Sequence, residues 1–471
     1  MLKQQLSEYF AAHRQELVED ISALVRIRSD RQDPLPGKPY GEGPAAALAE
    51  AMAIASRHGF AVKNYDNYVC AVDFSDAETQ LDILAHLDVV PVGNGWRVTE
   101  PFQPLEKDGR LYGRGTADDK GPAMAALYAM KAIKDLGIPL KKNVRLILGT
   151  DEECGSSDIA YYYQKEKEAP CTFSPDAEFP VINTEKGSLQ AFFKGSYEPT
   201  EAGDAPRLVA VDAGTKINVV PDRCAALVAG LTADDCDKFC QNVAASTGAS
   251  FFLSELEGGQ VQIVAKGVSA HASTPEKGCN AITAMLTLLT TMPFEGEGFR
   301  QLCGLASLFP HGDGEGKAAG IAMGDEISGP LTITLDILHW DEQHFEAAAD
   351  CRASLCATHE NLVEPLRAAA AQRGFQMDES CHLNPPHHVP ADSPFVQTLL
   401  RVYEEYTGQH GDPIAIGGGT YAHHLQNGVA FGCTFPWSAD NHMHGDDEFV
   451  DLEELLLCAQ MFAQVIVEIC G

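Results

Sequence analysis

A chain of 471 residues, 45% hydrophobic and 21% charged, has the composition of a globular protein with room for two or three domains. Its 67 Asp+Glu against 34 Lys+Arg give a formal charge of −33, which argues against nucleic acid and anionic membranes as partners. The 14 cysteines are scattered without a Cys-x-x-Cys pair, so they read as reduced, mostly buried small residues, not a zinc ribbon or a disulfide framework. No apolar run approaches membrane-spanning length. The opening stretch MLKQQLSEYFAAHRQELVEDISALVRI has apolar residues at helical spacing with charges throughout, so it reads as an amphipathic helix and not as a signal peptide, and a cytoplasmic location is expected.

In chain order, helices are predicted over most of 3–25 and over 43–57, then strands near 68–74 and 81–85. A helix over about 122–135, a strand NVRLILGT ending at Thr150, a helix over 157–165 and a short strand in PVINTEKG complete an alternating pattern. That alternation predicts an α/β domain with a mainly parallel sheet. From about Ser188 the texture changes to short strand candidates: LQAFFKG, RLVAVDA, RCAALVAG, SFFLSELE, QVQIVAKG and LTITLDILHW. Helices are expected among them near 234–245, 281–291 and 360–373, which describes a separate α+β domain. Long helices return at 394–407 and 452–469. The segments with chemical character lie in the first and last parts. The expected organisation is therefore a catalytic domain of 1–186 and 387–471, interrupted by an inserted lid domain of 187–386.

Four segments concentrate carboxylates and imidazoles. LDILAHLDVVPVGNGW places His86 and Asp88 two apart where an apolar strand gives out, so both side chains point the same way. GRGTADDKG sets Asp118 and Asp119 between a Gly-rich turn and a helix. LILGTDEECGSSD delivers Asp151, Glu152 and Glu153 at a strand end, and SPDAEFPVI supplies Asp176. Ligands of open α/β sheets bind beyond the carboxyl ends of the strands. A fifth segment, DNHMHGDDEFV, adds His442, His444, Asp447 and Glu448. Taken singly these read as helix caps, solvated acidic loops or surface histidines. As a set without thiolates they suit Zn²⁺, Mn²⁺ or Co²⁺. A carboxylate shared between two ions about 3.5–4 Å apart is a common hydrolytic arrangement.

The order and context of HLDVVPVGNGW, GRGTADDKGP, TDEECGSSD, PDAEFPVINTEKG, GVSAHASTPEKGCNA, GGGTYAH and HMHGDDE resemble the M20-type metallopeptidase family across nearly the whole chain. The long form, with PDAEFPVI and GGGTYA, is similar to its bacterial dipeptidase branch, the V-type and manganese-dependent dipeptidases. The resemblance implies that His86 and Asp176 hold one metal ion, that Asp118 bridges two, and that Glu153 and His444 hold the second. His444 is preferred to His442 because only His444 is followed at the family spacing by Asp447 and Glu448. Glu152 is implied as the general base, with Asp88 beside His86 to fix its tautomer, and a cis peptide is implied between Asp118 and Asp119.

In the lid, the resemblance implies that His271 stabilises the oxyanion, and that Asn218, Arg352 and Gly418 contact a dipeptide substrate, Arg352 through its carboxylate. His423 stands where the branch commonly has Arg, which puts that charge contact in doubt. The double-sized insert implies a catalytically competent monomer. The expected activity is hydrolysis of dipeptides with a free amine. The alternatives are a metal-dependent amidohydrolase acting on N-acyl amino acids and, more remotely, a non-catalytic binding protein on a peptidase fold. The last is disfavoured because the five metal positions and the base are all filled.

Overall fold

The computed structural model describes residues 2–199 and 205–471. The chain divides into two compact units. One comprises residues up to Thr184 together with His388–Ala415 and Gly419–Gly471; the other comprises Glu185–His387 with Ile416–Gly418.

The first unit is an α/β layer structure. Its sheet runs in the order Ala61–Tyr65, Val69–Asp73, Asn143–Gly149, Thr79–His86, Cys171–Ser174, Gly428–Ala430 and Val181–Glu185. The central strands are parallel: Thr79–His86 pairs this way with both Asn143–Gly149 and Cys171–Ser174, and Gly428–Ala430 with Cys171–Ser174. Antiparallel strands flank them. Asn143–Gly149 is buried at every position, as a central strand covered on both faces must be. Helix Lys120–Asp135, rich in Ala and Met, is buried over nearly its whole length. It packs with Leu2–Val25 and Leu452–Cys470 into the main core. The last helix starts where Asp451 accepts the amides of Glu453 and Glu454 at 3.0 and 3.2 Å.

The second unit is an eight-stranded sheet with antiparallel pairing, in the order Ser250–Leu256, Gln260–Lys266, Arg223–Ala229, Arg207–Ala213, Thr332–Asp341, His344–Ala353, Gly187–Ser196, Gln376–Met377. Helices Ala233–Thr247, Ala281–Leu289, Glu297–Leu308 and Glu364–Gln372 contribute to its own core. Its longest elements that escape the sequence patterns are the helix Glu297–Leu308 and the strand His344–Ala353. Among the described residues, no helix is long and apolar enough to cross a membrane.

Candidate metal centre

The parallel strands deliver the chemistry at their carboxyl ends, where an open α/β sheet exposes its binding crevice. His86 is the last residue of Thr79–His86, and its parallel partner is Gly149, the last residue of the neighbouring strand. Three residues beyond Gly149 the chain enters a short 3₁₀ turn, Glu152–Cys154, which carries both glutamates. Asp176 lies two residues past Cys171–Ser174. Asp118 precedes the helix Lys120–Asp135 and joins Asp119 through the expected cis peptide. His444 comes from a loop and has a left-handed backbone, φ 62°.

These five residues converge. His86 Nε2 lies 3.0 Å from Asp118 Oδ1 and 3.4 Å from Asp176 Oδ2. His444 Nε2 lies 2.8 Å from Asp118 Oδ2 and 3.2 Å from Glu153 Oε1. The two oxygens of Asp118 therefore face two different groups, His86–Asp118–Asp176 and Asp118–Glu153–His444, each with its ligand atoms within 4.8 Å of one another. His86 Nε2 and Glu153 Oε1 are buried without a hydrogen-bond partner, although each sits close to those neighbours. Atoms that are near but not aligned with one another are arranged as if aimed at a common third point. With nitrogen and oxygen donors only, the residues fit hard or borderline divalent cations.

The electrostatics agree with that fit. Burial favours a neutral His86, but Asp118, Asp176 and Asp88 outweigh it and hold the ring's pKa well above the usual histidine range. Asp118 and Glu153 raise His444 to about 11, against some opposition from burial. Glu152 is pushed well above the usual carboxylate range, first by burial and then by the surrounding Asp176, Glu153 and Asp118, with His86 opposing. Without a cation, Asp118 and Glu153 favour a protonated His444, and a cation ligated by that ring would have to displace the proton. Affinity for Mn²⁺ is expected to rise roughly tenfold per pH unit for each proton displaced, between about pH 6 and 8. Calorimetric titration in buffers of different ionisation enthalpy would show the released proton. A pH-independent affinity would contradict ligation by His444.

Buried carboxylates hold the loops that carry these groups. Asp88 accepts the amides of Glu152 and Glu153 at 3.2 and 3.1 Å. Its expected contact with the imidazole is present in altered form: His86 Nδ1 is 3.1 Å from the Asp88 main-chain oxygen and 3.4 Å from its carboxylate. The carboxylate is drawn toward the two amides because each offers a direct N–H. Asp119 accepts the amide of His86 at 3.0 Å. Asp158 accepts the amides of Thr150 and Asp151 at 2.6 and 3.0 Å and the hydroxyl of Tyr421 at 2.6 Å. Glu448 forms a buried ion pair with Arg114. Asp158, Tyr421 and Arg114 are absent from the residues singled out in the sequence, and Glu448 is used there only to mark the spacing of His444. The Arg in GRGTADD and the Asp in GSSD are the available signals, and neither says what it touches.

The lid residues singled out in the sequence lie together within the second unit. Val219, next to Asn218, pairs with His271, and the Asn218 carbonyl accepts the amide of Ala272 at 3.0 Å. His271 Nδ1 is 2.7 Å from Ser273 Oγ. A Cβ built on Gly417 would fall 2.7 Å from that of Ser273, so only glycine permits this approach. The Gly417 carbonyl, beside Gly418, accepts Arg352 Nη1 at 2.8 Å. The side-on fork of Arg352, Nε and Nη2, already engages Asp350 at 2.6 and 3.1 Å, which leaves a ligand carboxylate the remaining Nη hydrogens. His423 lies in the short helix Tyr421–His424 of the first unit.

Residues 83–468 match the family described as peptidase family M20/M25/M40. The chain is 36% identical over 459 residues to YtjP of Bacillus subtilis (strain 168), named provisionally as a dipeptidase, covering 97% of each chain. It is 33% identical over 476 residues to the Beta-Ala-Xaa dipeptidase of Lactobacillus delbrueckii subsp. lactis, covering 98% of this chain and 97% of that one. In fold it is similar to human carnosine dipeptidase 1, with a TM-score of 0.61 at 15% identity over 100% of this chain and 99% of that one. It is likewise similar to the di-peptidase Dug1p of Saccharomyces cerevisiae, with a TM-score of 0.59 at 12% identity over 99% and 98% of the chains.

Proposed function

The chain belongs to peptidase family M20/M25/M40 and is a hydrolase of the metallopeptidase class; from that premise we propose that it is a two-ion dipeptidase acting on dipeptides with a free N-terminal amine. The observation that carries the two-ion reading is the sharing of Asp118, one oxygen to each cluster. His86 and Asp176 would hold one ion, Glu153 and His444 would hold the other, and Asp118 would be the ligand common to both. When bound, these ions, Zn²⁺ or Mn²⁺ with Co²⁺ a possible substitute, supply Lewis acidity to the scissile carbonyl and to water.

The chain's own residues handle the proton and the substrate. Glu152 takes a proton from the attacking water on its carboxylate and returns it to the leaving amine. Burial, and then the neighbouring carboxylates, raise the proton affinity of its carboxyl. Asp88 holds the main chain of the turn that carries Glu152 through the Glu152 amide. By family resemblance, His271 donates to the carbonyl oxygen as it becomes an oxyanion, and Asn218, Arg352 and Gly418 engage the carboxyl end of the dipeptide. A catalytically competent monomer in the cytoplasm accompanies this reading. Support for dipeptides comes from relatives of full length that carry that name.

The test is a panel of dipeptides, each paired with its N-acetylated form, offered to metal-stripped protein with Zn²⁺, Mn²⁺ or Co²⁺ added back. Metal-restored hydrolysis confined to the free-amine members is the expected result. Preference for the acetylated partners would instead make the protein an amidohydrolase of N-acyl amino acids.

A further inference from the structure

Two ligands at the first cluster, His86 and Asp176, sit at or just beyond sheet strands. His444 has no such support. It lies in a loop with its side chain 57% exposed, yet it must meet Asp118. The three residues Asp446, Asp447 and Glu448 do for this loop what a ladder does for a strand. Asp446 accepts the amide of Gly95 at 3.0 Å, and Asp447 accepts those of Arg97 and Val98, each at 2.8 Å. Glu448, fully buried, accepts the amides of Gly115 at 3.0 Å, Ala117 at 2.9 Å and Asp118 at 3.3 Å. Arg114, 1% exposed, pairs with that carboxylate and donates Nη2 to the Gly445 carbonyl at 2.8 Å. One buried ion pair thus ties the turn that carries Asp118 to the residue that follows His444.

We propose that Glu448, held by Arg114, is a positioning residue that sets His444 against Asp118 and so governs the affinity of the Asp118–Glu153–His444 site more than that of the His86–Asp118–Asp176 site. The inference rests on the two-ion reading above. The asymmetry follows from how Asp118 is held. Its neighbour Asp119 is bonded to the amide of His86, and the helix Lys120–Asp135 follows directly, so its position toward His86 has support that does not pass through Glu448. The loop of His444 is tied to the Asp118 turn through the acidic run after it and through Arg114, beside short-range bonds of its own such as Gly445 N–H to the His442 carbonyl at 2.7 Å. In a low-dielectric interior, three amides and a guanidinium converging on one carboxylate fix it strongly. Removing the charge leaves those donors poorly matched.

The experiment is calorimetric titration of Mn²⁺ into metal-stripped wild type, Glu448→Gln and His444→Ala. Glu448→Gln is expected to keep one equivalent at wild-type affinity and to weaken the other by about 10- to 100-fold, matching the equivalent weakened in His444→Ala. Arg114→Lys keeps the charge but loses the fork, and should weaken the same equivalent. It serves as the readout if Glu448→Gln does not fold. Tyr128→Phe deletes a buried 2.8 Å bond to Asp20 and reports plain destabilisation: it should lower the melting temperature and leave both affinities alone. Equal weakening of both equivalents in the folded variants, or of neither, would overturn the proposal. A wild type that binds fewer than two ions would overturn the two-ion reading itself, and this inference with it.

Discussion

Glu152→Gln is expected to lower kcat by about 10²–10⁴-fold while both metal ions stay bound. The amide keeps the size of the side chain and its place on the turn, whose main-chain amides still reach Asp88. It removes only the group able to take a proton from water and pass it to the leaving amine. Because Glu152 belongs to neither of the two ligand clusters, stoichiometry and affinity for Mn²⁺ should match wild type. KM should change little. Steady-state kinetics beside metal analysis of the same preparation checks both halves. Activity within a few-fold of wild type would remove Glu152 as the base, and loss of an ion would make it a ligand instead.

Asp118→Ala is expected to be more severe in a different way. It deletes one ligand from each cluster at once, and it leaves His86 and His444 without the carboxylate nearest to each ring. Both ions should be lost or greatly weakened, and kcat/KM should fall by at least about 10³-fold, since the Lewis acidity is worth several kcal/mol. His86→Ala and His444→Ala, in contrast, should each spoil one site more than the other. If Asp118→Ala keeps one ion at full affinity, the shared-carboxylate arrangement is wrong.

The sequence is most informative where local pattern and position coincide. The central strand Asn143–Gly149 and the helices Pro394–Thr407 and Leu452–Cys470 announce themselves by apolar runs, helical spacing and caps. Four of the five expected metal-binding residues lie in short motifs at or just beside element ends, the fifth, His444, lies in a loop, and the fold brings all five together. The strand His344–Ala353 is not visible in HFEAAADCRA, because three consecutive alanines carry little β preference. Pairing on both sides, with Thr332–Asp341 and Gly187–Ser196, decides its state. The helix Glu297–Leu308 is obscured by its glycines, Gly298 and Gly304, and is rescued by the buried Leu302, Leu305 and Leu308. The predicted helix over 360–373 begins instead as a π turn, His359–Val363, capped by Thr358, before Glu364–Gln372.

Long-range polar contacts are the least legible. Arg114 and Glu448 are 334 positions apart, and Tyr421 and Asp158 are 263 apart. No periodicity links such pairs. Their partners follow from tertiary packing alone, which is why a ligand set can be read from motifs while the carboxylates that hold its loops cannot.

The central claim is that Asp118 stands between two ions. Diffraction from crystals grown with Mn²⁺, recorded at the manganese absorption edge, tests it most directly. Two anomalous peaks about 3.5–4 Å apart are predicted, one against His86 and Asp176 and the other against Glu153 and His444, with Asp118 touching both. A single peak, or peaks that leave Asp118 on only one ion, would contradict it.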